Sequence, residues 1–172
     1  NLSAQSRILQ SLRFTEIMFH PPSGSDAEFL ELRNVGADPI DLLGVSFTRG
    51  VDFEFPDISP APGERVVVVA NRGVFEGIYG RAVNIAGEWS GKLDNDEDRI
   101  RLEIVDLNAA VLDFTYRDFW YPSTDGGGFS LVIIEDTAEP GTWGERESWT
   151  AGANQDGSPG MDSGFFVFAG AD

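Results

Sequence analysis

An acidic run at residues 94–98 (DNDED) is the most suggestive chemical feature of the sequence. Alternating oxygen donors in a loop suit Ca²⁺, which takes roughly six to eight hard oxygen ligands. The run matches the first three ligand positions of a calcium-binding loop, through Asp94, Asp96 and Asp98. Arg99 then stands where such a loop needs Gly, and Val105 where it needs Glu. We therefore expect a solvated turn before a strand, with a weak Ca²⁺ site as the alternative.

A second acidic group is spread over residues 113–128 and consists of Asp113, Asp118 and Asp125. Asp113 lies among apolar residues, where an unpaired charge is costly. It therefore needs a partner, which could be Arg117, a set of backbone N–H groups or a bound cation. Asp125 precedes three glycines and predicts an Asx-type turn. We expect ion pairs or turn caps here, with cation binding as the alternative.

Aromatic residues in loops at one end of a β-sandwich can stack on sugar rings or anchor a protein partner. The candidate binding residues are Trp89, Trp120 and Tyr121. Large aromatics bury area well, so we expect Phe119 and Trp120 to serve the core first. Trp89 is flanked by Gly87, Ser90 and Gly91, and we expect its side chain to be exposed.

Catalytic chemistry has little support in the sequence. His20 is the single histidine and Cys is absent, which excludes thiolate nucleophiles, disulfides and zinc sites built from clustered His and Cys. No Gly-x-Ser-x-Gly turn offers an activated serine. We expect His20 to pack in a turn and the chain not to be an enzyme. A hydrolase with two paired carboxylates is a remaining third hypothesis.

The charge balance narrows the partners. The 172 residues include 12 Lys plus Arg and 29 Asp plus Glu, for a formal net charge of −17. Such a surface repels nucleic-acid phosphates and anionic lipid, and it favours cations or a basic partner. No apolar run reaches the roughly 18 residues of a membrane span. We therefore expect neither nucleic-acid binding nor membrane insertion.

The elements that must position these residues are short apolar runs separated by Pro- and Gly-rich turns, a pattern typical of an all-β sandwich or barrel. Residues 66–69 are all valine and predict a strand buried on both faces. Residues 73–80 place apolar side chains at helical spacing and predict a short helical turn that caps an open end of the sandwich. Residues 139–164 predict an irregular segment held by Trp143 and Trp149.

Several motifs occur in a specific order. Glu-Ile-Met (16–18) precedes a proline turn, and Glu-Phe-Leu-Glu-Leu (28–32) precedes Asn-x-Gly. A Gly-rich turn (126–128) leads into Ser-Leu, and DGSPG occupies 156–160. This order and spacing resemble the bacterial form of the lamin tail domain. The resemblance implies an immunoglobulin-like β-sandwich with about eight to nine short strands.

The resemblance also implies a role. Bacterial domains of this type are modules of secreted or cell-surface proteins and are regarded as interaction or structural modules. We expect a leader or linker at 1–11, the sandwich at 12–160 and a C-terminal tail at 161–172 leading to a neighbouring domain. The predicted function is non-catalytic contact with a protein or glycan partner, or the positioning of neighbouring domains, outside the cell or at its surface. A calcium-dependent carbohydrate-binding module is the alternative.

Overall fold

The computed structural model describes residues 3–162, and within that range the chain is mostly β-structure with two short helices. The helices are α1 (Ala4–Ser11) and α2 (Arg72–Tyr79). The strands are β1 (Leu12–Met18), β2 (Phe29–Asn34), β3 (Val45–Arg49), β4 (Phe53–Glu54), β5 (Arg65–Val69), β6 (Ile85–Glu88), β7 (Glu97–Ile104), β8 (Ala109–Arg117), β9 (Leu131–Ile133) and β10 (Trp149–Ala151). The count of ten exceeds the predicted eight to nine because strands as short as β4 and β10 carry almost no periodic signal.

The strands form two sheets, an arrangement consistent with the predicted β-sandwich. The large sheet has six strands in the order β10-β9-β1-β2-β5-β6, and the small sheet has four in the order β4-β3-β7-β8. Neighbouring strands are antiparallel except for β5 and β6, which are parallel.

The main core fills the space between the sheets. Phe14 of the large sheet contacts Phe47 and Phe114 of the small sheet, with ring centroids 5.7 and 5.4 Å apart. Trp149 stacks on Phe114 at 5.6 Å. The Trp149 indole N–H donates to the carbonyl of Trp143 at 2.7 Å, and both tryptophans are fully buried. The prediction that aromatics hold segment 139–164 is confirmed, although the short strand β10 within it was not predicted.

Helix α2 confirms the helical turn predicted at 73–80, but its predicted location was wrong. It begins after Asn71, whose side chain accepts from the Val74 N–H at 2.9 Å. A helix that joins two parallel strands must cross the face of their sheet, so α2 lies on the outer face of the large sheet instead of capping an open end. Phe75 packs there against Phe29, with centroids 5.6 Å apart. Covering this face buries residues 66–69 from both sides, as predicted.

The N-terminal segment packs on the sandwich. Ser3 caps α1 by accepting from the Ser6 N–H at 3.1 Å, and Ile8 of this helix is buried in the main core. Residues 1–2 of the predicted leader and residues 163–172 of the predicted tail lie outside the described residues. Neither described helix is long and apolar enough to cross a membrane.

Candidate functional site

Three chain segments meet at one end of the sandwich and surround a cleft of about 780 Å³. The first follows β1, the second precedes β7 and the third follows β8. Residues from all three line the space, which we call the cleft, and they include His20, Ser25, Lys92, Asp94, Asp96 and Gly126. The cleft brings together the only histidine and the only lysine of the sequence.

The loop before β7 is held from three sides. The buried Glu28 carboxylate accepts from the Leu93 N–H at 3.2 Å, and the Tyr116 hydroxyl donates to the Asp94 carbonyl at 2.5 Å. The Asp94 N–H donates to the Asp98 carboxylate at 3.1 Å. The acidic run therefore forms the turn that the sequence predicted. Burial raises the pKa of Glu28 to about 8, partly opposed by the Leu93 N–H, and burial also raises the pKa of Asp98.

His20 and Asp125 form a hydrogen-bonded contact at the edge of the cleft. The His20 Nδ1 lies 2.6 Å from the Asp125 Oδ1, and both side chains are partly exposed. Gly126 follows with a φ of +79°, and a Cβ at this position would lie 3.4 Å from the imidazole ring. Asp125 was predicted as a turn residue, with cation binding as the alternative. Its histidine partner lies 105 positions away, which no local pattern indicates.

Lys92 and Phe119 are the parts of this site that the sequence analysis missed. Among residues 3–162, Lys92 makes no ion pair, and its charge lowers the pKa of the nearby Glu28. The Asp118 N–H donates to the carbonyl of the cleft residue Asp96 at 2.7 Å, so Phe119 follows directly after a residue bonded to the cleft wall. Phe119 is 69% exposed, so its predicted core position was wrong. Residues 118–120 form a 3₁₀ turn, in which adjacent side chains point about 120° apart, so Trp120 is buried and Phe119 is not.

The predicted exposure of Trp89 was also wrong, because its side chain is only 6% exposed. Its flanking Gly and Ser residues suggested a loop, but the Trp89 N–H donates to the Val69 carbonyl at 2.9 Å and continues the pairing of β6 with β5. Trp120 is buried as expected. The Tyr121 hydroxyl donates to the Trp149 carbonyl at 2.6 Å. The Arg146 guanidinium lies 4.8 Å from the centroid of the Tyr121 ring. Trp89, Trp120 and Tyr121 therefore pack in or against the main core and are not free to bind a ligand.

Asp113 lies on the solvent-facing side of the small sheet. It accepts two hydrogen bonds from Arg99, at 2.8 and 2.7 Å, and one from Arg101 at 3.0 Å. The predicted need for a partner is met, but not by Arg117, which pairs with Glu97 because those two residues are opposite each other in the β7–β8 register. The hydrogen bonds from Arg99 hold the pKa of Asp113 below its ordinary value.

The six aspartates predicted as possible ligands are not gathered at one point. Asp94 and Asp96 line the cleft, and Asp113 is bound by arginines. The Asp98 carboxylate accepts from the Asp94 N–H of the preceding loop. Throughout the described part of the chain, no group of three or more His, Cys, Asp or Glu side chains is placed to hold a metal ion. Calcium binding stays a prediction from the sequence.

A second unusual group lies on the outer face of the large sheet. Glu16 of β1 and Glu31 of β2 face each other across the strands and are fully buried. They bind residues 156–162, which we call the strap. Glu16 accepts from the Ser158 N–H at 2.7 Å, and Glu31 accepts from the Gly160 N–H at 2.5 Å. Two glutamates inside otherwise apolar strands were a signal in the sequence, but their shared partner could not be read from it.

Comparisons of the chain with protein-family models, with curated proteins and with solved structures found no match.

Proposed function

We propose that this chain is an immunoglobulin-like β-sandwich of the lamin-tail type and acts as a non-catalytic interaction or structural module of a larger secreted or cell-surface bacterial protein. The fold assignment is supported by the motifs that carry the resemblance. Glu16 belongs to the Glu-Ile-Met motif, Glu31 to Glu-Phe-Leu-Glu-Leu, and both bind backbone N–H groups of the DGSPG motif. Motifs far apart in the sequence therefore serve one structural purpose.

The observation that carries the interaction role is the exposure of Phe119 beside the cleft. An aromatic side chain that is 69% exposed, one residue from the bond between Asp118 and the cleft residue Asp96, can supply the apolar anchor of an interface. Lys92 and His20 line the cleft, where His20 is held by Asp125, and both offer directional polar contacts. We define this contact surface as the cleft together with Phe119.

The charge around this surface favours a protein partner with basic side chains. Asp94 and Asp96 line the cleft, Asp118 is bonded to its wall, and the whole chain carries a formal net charge of −17. Complementary charge speeds encounter and excludes wrong partners more than it adds affinity. The partner is either a separate protein or a neighbouring domain of the same polypeptide.

Selection of a phage-displayed random peptide library on the immobilised chain tests this role. We expect enriched peptides to combine Arg or Lys with an apolar residue. Their affinity should fall about tenfold or more in Phe119→Ala, because truncating a central aromatic anchor removes most of its buried contact area.

Leu43→Ala is the matched control. Leu43 is 60% exposed but lies before β3, at the end of the sandwich opposite the cleft, so its loss should leave peptide affinity unchanged. Peptides that bind equally to the wild type and to Phe119→Ala would contradict the proposed surface. Turnover of ester, phosphoester or glycoside substrates that is lost in His20→Ala would contradict a non-catalytic role.

The calcium-dependent carbohydrate-binding alternative is weaker after the structure. Trp89, its main aromatic candidate, is buried, and Asp113 is committed to arginines. A glycan array probed with and without Ca²⁺ tests it directly. Binding that requires Ca²⁺ and depends on Phe119 would replace the protein-partner proposal.

A further inference from the structure

The Glu16–Glu31 pair places two carboxyl groups in one buried position. Burial raises the pKa of both groups, and the pKa of Glu31 reaches about 7, helped by the proximity of Glu16. Arg65 of β5 offers partial compensation, since its Nε lies 3.6 Å from the Glu31 Oε1 while its terminal nitrogen binds Asp162 at 2.6 Å. One shared guanidinium does not neutralise two buried carboxylates, so the pair favours keeping one proton.

The hydrogen bonds to Glu16 favour its ionised form and offset the effect of burial on its pKa only in part. Its Oε1 accepts from the Ser130 hydroxyl at 2.7 Å and from the N–H and hydroxyl of Ser158 at 2.7 and 3.3 Å. Its Oε2 is buried and has no hydrogen-bond partner among residues 3–162. Because every donor reaches the same oxygen, the other oxygen of an ionised Glu16 would be buried without compensation, and the pKa of Glu16 stays raised.

The strap is shaped to reach these carboxyls. Gly157 has a φ of +80°, and a Cβ there would lie 2.8 Å from the Glu16 Oε1, so only glycine allows this approach. Glu31 accepts from the Gly160 N–H at 2.5 Å and from the Thr15 hydroxyl at 2.7 Å. Beyond these, the Tyr79 hydroxyl of α2 donates to the Asp156 carbonyl at 2.6 Å.

We propose that Glu16 and Glu31 form a proton-dependent latch, in which one proton held by the pair keeps the strap on the large sheet and its loss to solvent releases the strap. Release would uncover Met18 and the two carboxylates on the outer face of β1 and β2. The neighbouring positive charges only partly stabilise the doubly ionised pair. Arg65 from β5 is shared with Asp162 of the strap, and Arg33 of β2 is turned to Asp136 at 2.9 Å.

The other titratable groups facing the pair do not replace the lost proton. Burial, followed by the charges of Asp156 and Glu16, raises the pKa of Tyr79 well above its ordinary value, so Tyr79 stays neutral. Asp156 and Asp162 of the strap add negative charge only. Ionisation of both glutamates therefore leaves net negative charge under the strap, and solvent exposure of the pair relieves it.

The direction with pH follows from the raised pKa values. The strap is most firmly held below the ordinary carboxyl value of 4.5 and loosens as pH rises through about 7. Amide hydrogen exchange of the full chain measures this between about pH 5.5 and 8.5, corrected for intrinsic exchange. We expect the protection of the Ser158 and Gly160 amides to fall about tenfold or more over this range. These amides should exchange faster than core amides at every pH.

Two variants make the test specific. In the double variant Glu16→Gln/Glu31→Gln the acceptor oxygens remain but the titrating protons are gone, so strap protection should no longer depend on pH. Glu31→Gln alone should show a weaker dependence and covers the case in which the double variant does not fold. Glu28→Gln is the matched control, because Glu28 is also buried with a pKa raised to about 8 but does not touch the strap.

Three outcomes would overturn the latch. The first is wild-type strap protection that does not change with pH. The second is a double variant that keeps the wild-type dependence. The third is strap amides that exchange only together with the amides of β5, which would mean global unfolding without local release.

Discussion

The outer faces of the two sheets carry the same residue types in opposite environments. The large sheet is covered by α2 and the strap, and its outward carboxyls, Glu16 and Glu31, are fully buried. The small sheet faces solvent, and its outward Asp113 is bound by Arg99 and Arg101. An outward-facing acid in a strand is thus a surface charge on one sheet and a buried structural group on the other. What covers the face decides between them.

The pKa values express the same difference. Burial raises the pKa of Glu31 to about 7, whereas the hydrogen bonds from Arg99 hold the pKa of Asp113 below its ordinary value. A buried acid loses hydration that backbone donors replace only in part, while an exposed acid keeps its water and gains a cation. The covered face of the large sheet therefore favours protonated acids, whereas the open face of the small sheet favours ionised acids paired with arginines.

The largest expected effect comes from removing an acceptor on the covered face. Glu16→Ala removes the carboxyl group that accepts from the Ser158 N–H and the Ser130 hydroxyl, and it opens a cavity. We expect the free energy of unfolding at pH 6 to fall by about 3 kcal/mol, measured by urea denaturation. Glu16→Gln keeps an acceptor and should cost less than about 1 kcal/mol. Equal losses in both variants would contradict the hydrogen-bond explanation.

The next effect is the pH dependence of the wild type. Glu31 and Glu28 have folded pKa values of about 7 and about 8 against an ordinary 4.5, so the folded chain binds more protons between these values. The stabilisation is complete below about pH 4.5 and is lost as pH rises through 7 and 8. Glu31 alone should make the free energy of unfolding about 2 kcal/mol higher at pH 5.5 than at pH 8.5, and Glu28 should add to this difference in the same direction. Stability that rises over this range would refute the assignment of protonated buried glutamates.

The open face should respond weakly. Asp113→Asn removes ion pairs to two partly exposed arginines, so we expect the melting temperature to fall by about 2 °C or less. The difference from the wild type should disappear in about 1 M NaCl, because salt screens exposed pairs. A loss as large as that of Glu16→Ala, or one that persists in high salt, would mean that the two faces are not energetically different.

The smallest expected effect is that of calcium. Exchanging EDTA for about 5 mM CaCl₂ should change the melting temperature by less than about 1 °C, because ligands stabilise a protein only when they bind its folded state. Differential scanning fluorimetry of the wild type and of Asp96→Asn measures this. A rise of several degrees that disappears in Asp96→Asn would revive the calcium site of the acidic run.

Local patterns predicted the elements whose causes are local. The valine run at 66–69 predicted a strand buried on both faces, and the spacing at 73–80 predicted a helix, since both depend on neighbouring residues. The position of α2 was not predictable from its own residues. It depends on β6 pairing parallel to β5, a contact between separate segments that moves the helix onto the sheet.

The candidate site was predicted less well. The acidic run leads into β7 as expected: residues 94–96 precede the strand and line the cleft, and β7 begins at Glu97. Trp89 was expected to be exposed and is buried, because its backbone continues the pairing of β6 with β5. Phe119 was expected to be buried and is exposed, because the 3₁₀ turn at 118–120 turns Trp120 inward instead. Residue type gives the average tendency of an aromatic side chain to be buried, but it does not show which of two neighbouring aromatics points into the core.

The sequence by itself determined the strand-rich class, the helix near residue 73, the acidic surface and the absence of thiol chemistry, because these follow from residue type and short-range spacing. Only the tertiary structure decided that His20 meets Asp125 and that Glu16 and Glu31 share one buried position under the strap. These contacts join residues up to 142 positions apart. These contacts depend on the register between strands, on the path of the chain between the sheets and on which segments cover each sheet. All three depend on how separate segments pack.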